Sequence, residues 1–306
     1  MKKRHLLGIR DLSRNEIERF IETAKGFKDV LKRDIKKVPA LRGKTVINLF
    51  FEPSTRTKTS FEIAEKRLSM DVLNFSVPAS SVVKGESLYD TIKTIEAYGV
   101  DFIVIRHSSS GVPHFVANNI NASVINAGDG INEHPTQALL DAFSIQENKG
   151  SLEGLTITIV GDIYHSRVAK SNIYLLSKFN NRIRLIAPPT LIPDIKGFDV
   201  EIFSDMDEGL AGADIVMMLR IQLERQGSAF FPSIQEYFKF WGLDKRRLSL
   251  AKKDAIVMHP GPMNRGVEIS SDVADSPQSV ILEQVTNGLA VRMAVMYLLS
   301  GGVQDS

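Results

Sequence analysis

The sequence predicts an α/β protein of two doubly wound domains, each with a central, mainly parallel sheet flanked by helices. Three observations carry this. Short apolar runs rich in β-branched residues alternate with amphipathic helical segments, the pattern of parallel strands covered on both faces. The length, 306 residues, suits two domains rather than one. A polar, glycine-containing stretch, Asn148-Lys149-Gly150-Ser151-Leu152-Glu153-Gly154, separates two such alternating series. The first domain is accordingly placed at residues 1–147 and the second at 148–283, with the C-terminal helix, about 284–300, packing back on the first.

In the first series, Ser13-Arg14-Asn15-Glu16 is a capping box that opens a helix running towards Phe27. Strands are expected near 45–51, 71–75, 101–106 and 122–126, and helices at 58–69, 87–98, 113–119 and 135–147. Gly99 stops the second of these helices. In the second series, Thr156-Ile157-Thr158-Ile159-Val160 is a β-branched strand, followed by a helix at about 167–179 and the strand Ile183-Arg184-Leu185-Ile186-Ala187. Pro188, Pro189 and Pro193 then interrupt the pattern. Ile215 to Leu219 and Ala255 to Met258 read as further buried strands. The last helix, about 277–299, carries a stripe through Ile281, Val285, Leu289, Arg292, Met296 and Leu299.

Bulk composition excludes several classes of function. The chain is 43% hydrophobic and 24% charged, ordinary for a globular protein, and its net charge of +2 implies no nucleic acid or other polyanion partner. It contains no cysteine, which excludes disulfides, thiolate catalysis and cysteine metal sites and fits a reducing cytoplasm. No apolar run approaches the ~20 residues of a membrane span. The basic N-terminus is followed by too short an apolar stretch, Leu6 to Ile9, for a signal peptide.

The most informative segment follows the first strand. Phe51-Glu52-Pro53-Ser54-Thr55-Arg56-Thr57-Lys58-Thr59-Ser60 sets hydroxyls around one arginine just before a helix. Backbone N–H groups at a helix N-terminus point at an anion, and the helix dipole favours negative charge. Ser54, Thr55 and Thr57 add hydroxyl donors, and Arg56 adds a guanidinium fork. A plain helix cap needs a single hydroxyl. The surplus favours a phosphate site.

Arginines recur at strand ends. Arg56 follows the strand 45–51, Arg106 ends Phe102-Ile103-Val104-Ile105, Arg167 lies just past 156–160, and Arg220 ends Ile215 to Leu219. Any one of these reads as a solvated surface charge, the usual fate of arginine. Together they favour a converging cationic pocket. His134 stands before a helix-starting proline with Gln137 one turn on, so both can point at one place. His259-Pro260-Gly261-Pro262 follows a strand, and its prolines hold the backbone extended with carbonyls free to accept hydrogen bonds; it also suits a rigid interdomain turn. Lys84 sits in a small-residue loop, Ala79 to Ser87, that resembles a mobile lid, although a lone lysine also reads as a solvated charge. No G-x-G-x-x-G, P-loop or G-x-S-x-G pattern occurs; Gly161-Asp162 only faintly suggests a dinucleotide turn. The histidines lack H-E-x-x-H spacing, so neither a metal nor another cofactor is expected.

Taken together, Ser54-Thr55-Arg56-Thr57, Arg106-His107, His134-Pro135-Thr136-Gln137 and His259-Pro260-Gly261-Pro262 resemble, in order and spacing, the aspartate branch of the aspartate/ornithine carbamoyltransferase family. The resemblance runs from about Leu6 to Gly301. The ornithine branch typically has a His-Cys-Leu-Pro segment where this chain has His259-Pro260-Gly261-Pro262, and Arg167 and Arg220 suit a substrate with two carboxylates. The resemblance implies transfer of the carbamoyl group of carbamoyl phosphate to L-aspartate, a step of pyrimidine synthesis, with no covalent enzyme intermediate. It implies that Ser54, Thr55, Arg56, Thr57 and Arg106 hold the phosphate, and that Thr57, Arg106 and His134 polarise the carbonyl. Gln137 and the carbonyls of Gly261 and Pro262 would accept from the carbamoyl NH2, while Arg167, Arg220 and Gln222 would hold the aspartate carboxylates. Lys84, and with it Ser80, would reach in from a neighbouring subunit of a homotrimer; only the spacing of Ser80 to Lys84 follows the pattern. Glu52 would pair with arginines of the second domain on closure. A regulatory chain or a dihydroorotase is a possible partner. Two other readings stand beside this one: a carbamoyltransferase for a different amine, and an inactive scaffold. The second predicts replacement of at least one of Arg56, Arg106, His134, Gln137, Arg167 and Arg220, and all six are present.

Overall fold

The computed structural model describes residues 5–76, 87–194, 197–221 and 233–301. Contacts divide the chain into two units, Met1–Phe143 with Thr286–Ser306, and Ser144–Val285. Both chain crossings between units fall inside helices rather than in loops, one within Pro135–Lys149 and one within Ile281–Leu299.

In the first unit, α1 (Arg14–Leu31) opens at Ser13, where both halves of the capping box form. Then come β1 (Thr45–Phe50), α2 (Thr55–Arg67), β2 (Asp71–Ser76), α3 (Leu88–Ala97), β3 (Phe102–His107), α4 (Val112–Asn119), β4 (Ser123–Asp129) and α5 (Pro135–Lys149). The four strands pair in the order β2-β1-β3-β4, all parallel. Their apolar runs fill the core with Ile47, Leu49, Ile103, Ile105 and Val124, packed against Ile92, Ile95 and Val116 of the helices.

The second unit holds β5 (Thr156–Val160), α6 (Arg167–Leu176), β6 (Arg182–Ile186), β7 (Val200–Phe203), α7 (Met206–Leu210), β8 (Ile215–Met218), α8 (Ile234–Trp241), α9 (Lys245–Leu248), β9 (Ile256–Met258) and α10 (Ser271–Ala274). Its strands run parallel in the order β7-β6-β5-β8-β9. The chain ends in α11 (Ile281–Leu299). The fold class expected from sequence is what the two sheets show, and none of the described helices is long and apolar enough to cross a membrane.

Three local expectations need correction. Helix α2 begins at Thr55, three residues before the expected start, so the hydroxyl-rich segment forms its first turn rather than a preceding loop. Residues with low helix propensity are tolerated there because the N–H groups of the first turn have no intrahelical carbonyl to donate to and can take side-chain or ligand acceptors instead. Strand β7 was not expected; it is a four-residue edge strand, too short for a clear alternation. In α11, Val285 is exposed, whereas Ala290, Val291, Met293, Ala294, Val295 and Met296 are all buried. Its C-terminal half is covered on every side, so a single stripe does not describe it.

Candidate functional site

In parallel sheets the C-terminal strand ends share one edge, and ligands bind beyond it. In the first unit that edge carries the segment after β1, the end of β3, and the segment from β4 into α5. β1 delivers Glu52 and the start of α2. Ser54 stands at the N-cap of α2, but its side chain makes no capping bond. This sets it apart from Ser13, Ser87, Ser166 and Ser233, each of which accepts the backbone N–H of its helix. The first turn of α2 holds no acidic residue, and Arg56 and Thr55 are exposed. Backbone donors, hydroxyls and a guanidinium thus stand together at the positive end of a helix, which suits a phosphate.

Arg106 joins the strand ends. Its Nε donates to Glu52 Oε1 at 2.6 Å, and its Nη1 donates to Thr57 Oγ1 at 3.3 Å and to the Ala127 carbonyl at 3.4 Å. The Arg106 and Glu52 side chains are only 14% and 12% exposed. Glu52, expected to pair with arginines of the second domain, is paired in this structure with Arg106 of its own unit. Next to it, His107 Nδ1 accepts the Ser109 backbone N–H at 2.9 Å, and burial holds its imidazole below the ordinary histidine range. The ring is neutral, so the edge owes its positive charge to arginine.

The segment from β4 to α5 is braced from within. The buried Asp129 carboxylate accepts from the Gly111 and Glu133 backbone N–H groups and from the Asn126 and Asn132 side chains. Glu133 Oε2 accepts the Ile9 N–H at 2.6 Å and ties the N-terminal segment to this turn. His134 is buried immediately before Pro135, which opens α5. Gln137 lies in the first turn, and its Nε2 donates to Asp141 Oδ1 at 2.9 Å. That bond fixes the amide and leaves Oε1 as the group able to accept a ligand N–H.

In the second unit, β5, β8 and β9 are neighbours, so their ends also share one edge. Arg167 is the first residue of α6, 6% exposed, with Ser166 capping Ala169 N–H. Arg220 follows β8 and is half-buried. After β9, His259 Nε2 bonds Glu268 Oε1 at 3.0 Å, and its Nδ1 accepts the Gly261 N–H at 2.8 Å. Glu268 Oε1 also accepts the Asn264 N–H at 2.6 Å, so this buried pair holds the turn containing Gly261 and Pro262 from both sides. The faint dinucleotide signal at Gly161-Asp162 is a tight turn instead: Gly161 adopts φ +124°, and a Cβ there would lie 3.1 Å from Leu219 Cβ. Asp162 is spent on His165, accepting its backbone N–H and touching its ring nitrogen at 2.9 Å.

The structure therefore brings Ser54, Thr55, Arg56, Thr57, Arg106, His134 and Gln137 to one sheet edge, and Arg167, Arg220, Gly261 and Pro262 to the other. Ser80, Lys84 and Gln222 lie outside the described residues. Asp141 was missed by sequence reasoning; its i, i+4 spacing from Gln137 on a helix was the available signal.

Two family models match the chain. Residues 4–147 match the carbamoyl-P binding domain of aspartate/ornithine carbamoyltransferase, and residues 153–299 match the Asp/Orn binding domain. An aspartate carbamoyltransferase catalytic subunit from Syntrophotalea carbinolica is 60% identical over 306 residues, covering 99% of this chain and 98% of its own length. One from Halothermothrix orenii is 56% identical, covering 98% and 96%. Among solved structures, the aspartate transcarbamoylase of Trypanosoma cruzi in complex with N-(phosphonacetyl)-L-aspartic acid superposes with a TM-score of 0.88 at 33% identity, covering 97% of this chain and 95% of that one. The same enzyme with carbamoyl phosphate and aspartate gives 0.86 at 32%, with coverage of 97% and 95%.

Proposed function

The chain belongs to the aspartate/ornithine carbamoyltransferase family, and from that premise we propose that it transfers the carbamoyl group of carbamoyl phosphate to L-aspartate, giving N-carbamoyl-L-aspartate and phosphate in pyrimidine synthesis. The observation that carries the reading is Arg106, bonded to Thr57 at the start of α2 and held by Glu52.

Both substrates are anions, and their meeting needs compensating cations. The first unit binds carbamoyl phosphate. Ser54, Thr55, Arg56 and Thr57 hold the phosphate with the backbone donors of α2, and Arg106 reaches from phosphate to the carbonyl oxygen. Gln137 Oε1, fixed by Asp141, and the carbonyls of Gly261 and Pro262 accept from the NH2 group. The second unit's Arg167 and Arg220, with Gln222, hold the two carboxylates of aspartate. The aspartate amine then attacks the carbamoyl carbon with its lone pair, and the carbonyl oxygen becomes an oxyanion met by Thr57, Arg106 and His134. Collapse breaks the bond to the phosphate oxygen, and the leaving phosphate takes the proton from the amine. Orientation and a preset cationic environment supply the rate. No covalent enzyme intermediate is required.

We further assign residues 1–147, with the last helix, to carbamoyl phosphate and 148–283 to aspartate. The working form is a cytoplasmic homotrimer in which Lys84, and Ser80 with it, enters the neighbour's site. A regulatory chain or dihydroorotase would add to that trimer.

The test is product formation from carbamoyl phosphate with a panel of amines. Carbamoyl aspartate from L-aspartate, inhibition by succinate, and no product from ornithine are expected. Product from ornithine or another amine in preference to aspartate overturns the assignment. Light scattering tests the trimer, and a monomeric active particle refutes the shared site.

A further inference from the structure

A buried cation stands behind the phosphate motif, contributed by the far end of the chain. Arg292 lies in the buried half of α11, 4% exposed, among Ala290, Val291, Met293 and Ala294. Its Nη1 donates to Ser60 Oγ in α2 at 3.0 Å, across 232 positions of sequence. Its guanidinium stacks 4.9 Å from the Phe61 ring centroid. Gly288, one turn earlier, makes room for it: a Cβ there would lie 2.5 Å from Arg292 Nη1. Burial pushes the guanidinium down to about 10, while the Asp141 carboxylate opposes that shift and Arg106 adds to it.

A purely structural role explains this poorly. Burying an arginine is expensive, and an apolar side chain of similar size commonly serves stability as well or better. The Nε of Arg292 is buried with no hydrogen-bond partner among the described residues, so its desolvation is only partly offset.

We propose that Arg292 is a positioning residue for the carbamoyl phosphate subsite, holding the first turns of α2 through Ser60 and Phe61. This rests on the functional reading above. Arg292 itself touches neither substrate.

The test compares Arg292→Met, Arg292→Lys and Ser60→Ala with the unaltered chain. It uses calorimetric binding of carbamoyl phosphate, separate KM values for both substrates, and thermal unfolding. Activity of the unaltered chain towards aspartate reports on the functional reading alone; carbamoyl phosphate affinity in the variants reports on Arg292. Arg292→Met is expected to weaken carbamoyl phosphate binding by about 10- to 100-fold, the usual loss of a charged hydrogen bond. KM for aspartate should change less than about threefold, and Arg292→Lys should recover part of the loss. A folded Arg292→Met with carbamoyl phosphate affinity within twofold of the unaltered chain overturns the proposal. Equal rises in both KM values, or a lower unfolding temperature with unchanged affinity, mark a structural role and also overturn it. If Arg292→Met does not fold, Arg292→Lys and Ser60→Ala decide: a several-fold loss of carbamoyl phosphate affinity in either supports the proposal, and unchanged affinity in both refutes it.

Discussion

Helices α2 and α6 begin alike and end up doing different things. Each follows a central strand of its sheet, and each opens with a serine at the N-cap and an arginine within its first two residues. At α6, Ser166 caps the helix and Arg167 is buried. At α2, Ser54 makes no capping bond and Arg56 is exposed. At α6 the N-cap hydroxyl is committed to the helix itself, and the arginine beside it is held in a buried position. At α2 the N-cap hydroxyl makes no capping bond and stands beside Thr55, Arg56 and Thr57, the last of which accepts from Arg106. One arrangement suits a carboxylate held by a fork, the other a phosphate held by a cradle. A serine before a helix is therefore ambiguous until its hydrogen bond is located.

The largest expected effect tests whether the α2 end is the chemical one. Arg106→Ala should lower kcat by about 10²–10³-fold, the range for removing one donor to a developing oxyanion, and should also lower the unfolding temperature, because Glu52 loses its paired guanidinium. Steady-state rates and a thermal melt on the same sample would show this. A fall below tenfold would move the chemistry away from this edge.

A second contrast is stored inside α2. Glu65 is fully buried, accepts from Asn48 Nδ2 at 2.8 Å, and is pushed by burial from an ordinary 4.5 up to about 8. Glu65 Oε1 and Asn48 Oδ1 are both buried without a hydrogen-bond partner among the described residues, so a proton on the acid supplies the donor the pair lacks. The folded chain binds this proton more tightly than the unfolded one. Its contribution is therefore complete below about pH 4.5 and is lost as pH rises towards 8, on the order of a few kcal/mol in all. Urea unfolding between pH 5 and 9 should show the decline, and Glu65→Gln should flatten it. An identical slope in both proteins would exclude Glu65 as its source.

The α6 end should affect aspartate alone. Arg167→Ala is expected to raise KM for aspartate by about 10- to 100-fold, with KM for carbamoyl phosphate changed only a few-fold. Arg167→Lys should not restore the value, because an ammonium lacks the planar fork. Matching losses for both substrates would erase the distinction between the two helix ends.

The smallest effect addresses the serines directly. Ser166→Ala should cost about 1 kcal/mol of stability, the usual loss of a cap. Ser54→Ala should change stability by less than about 0.5 kcal/mol while raising KM for carbamoyl phosphate several-fold. Paired melts and rate curves would separate them, and equal stability losses would mean that both serines are ordinary caps.

Much of this was legible in the residues. The β-branched runs at 45–50, 102–107, 156–160 and 215–218 announced strands, and their alternation with helical segments announced parallel sheets. The motif residues were named from type and order. Strand β7 escaped because four residues at a sheet edge give little periodicity. The start of α2 escaped because serine and threonine favour turns and helix ends alike.

Sequence alone determined the two-sheet architecture and singled out the side chains proposed here for the chemistry, since apolar period and residue type are local properties. Only the tertiary structure decided their partners: Glu52 with Arg106 rather than another arginine, Gln137 held by Asp141, and Arg292 seated behind Ser60. The reason is that a buried charge or amide takes whichever complementary group the fold carries to it. Glu52 meets Arg106 across 54 positions and Ser60 meets Arg292 across 232, separations that no local pattern encodes; Asp141 alone, four residues from Gln137 on one helix, left a local trace.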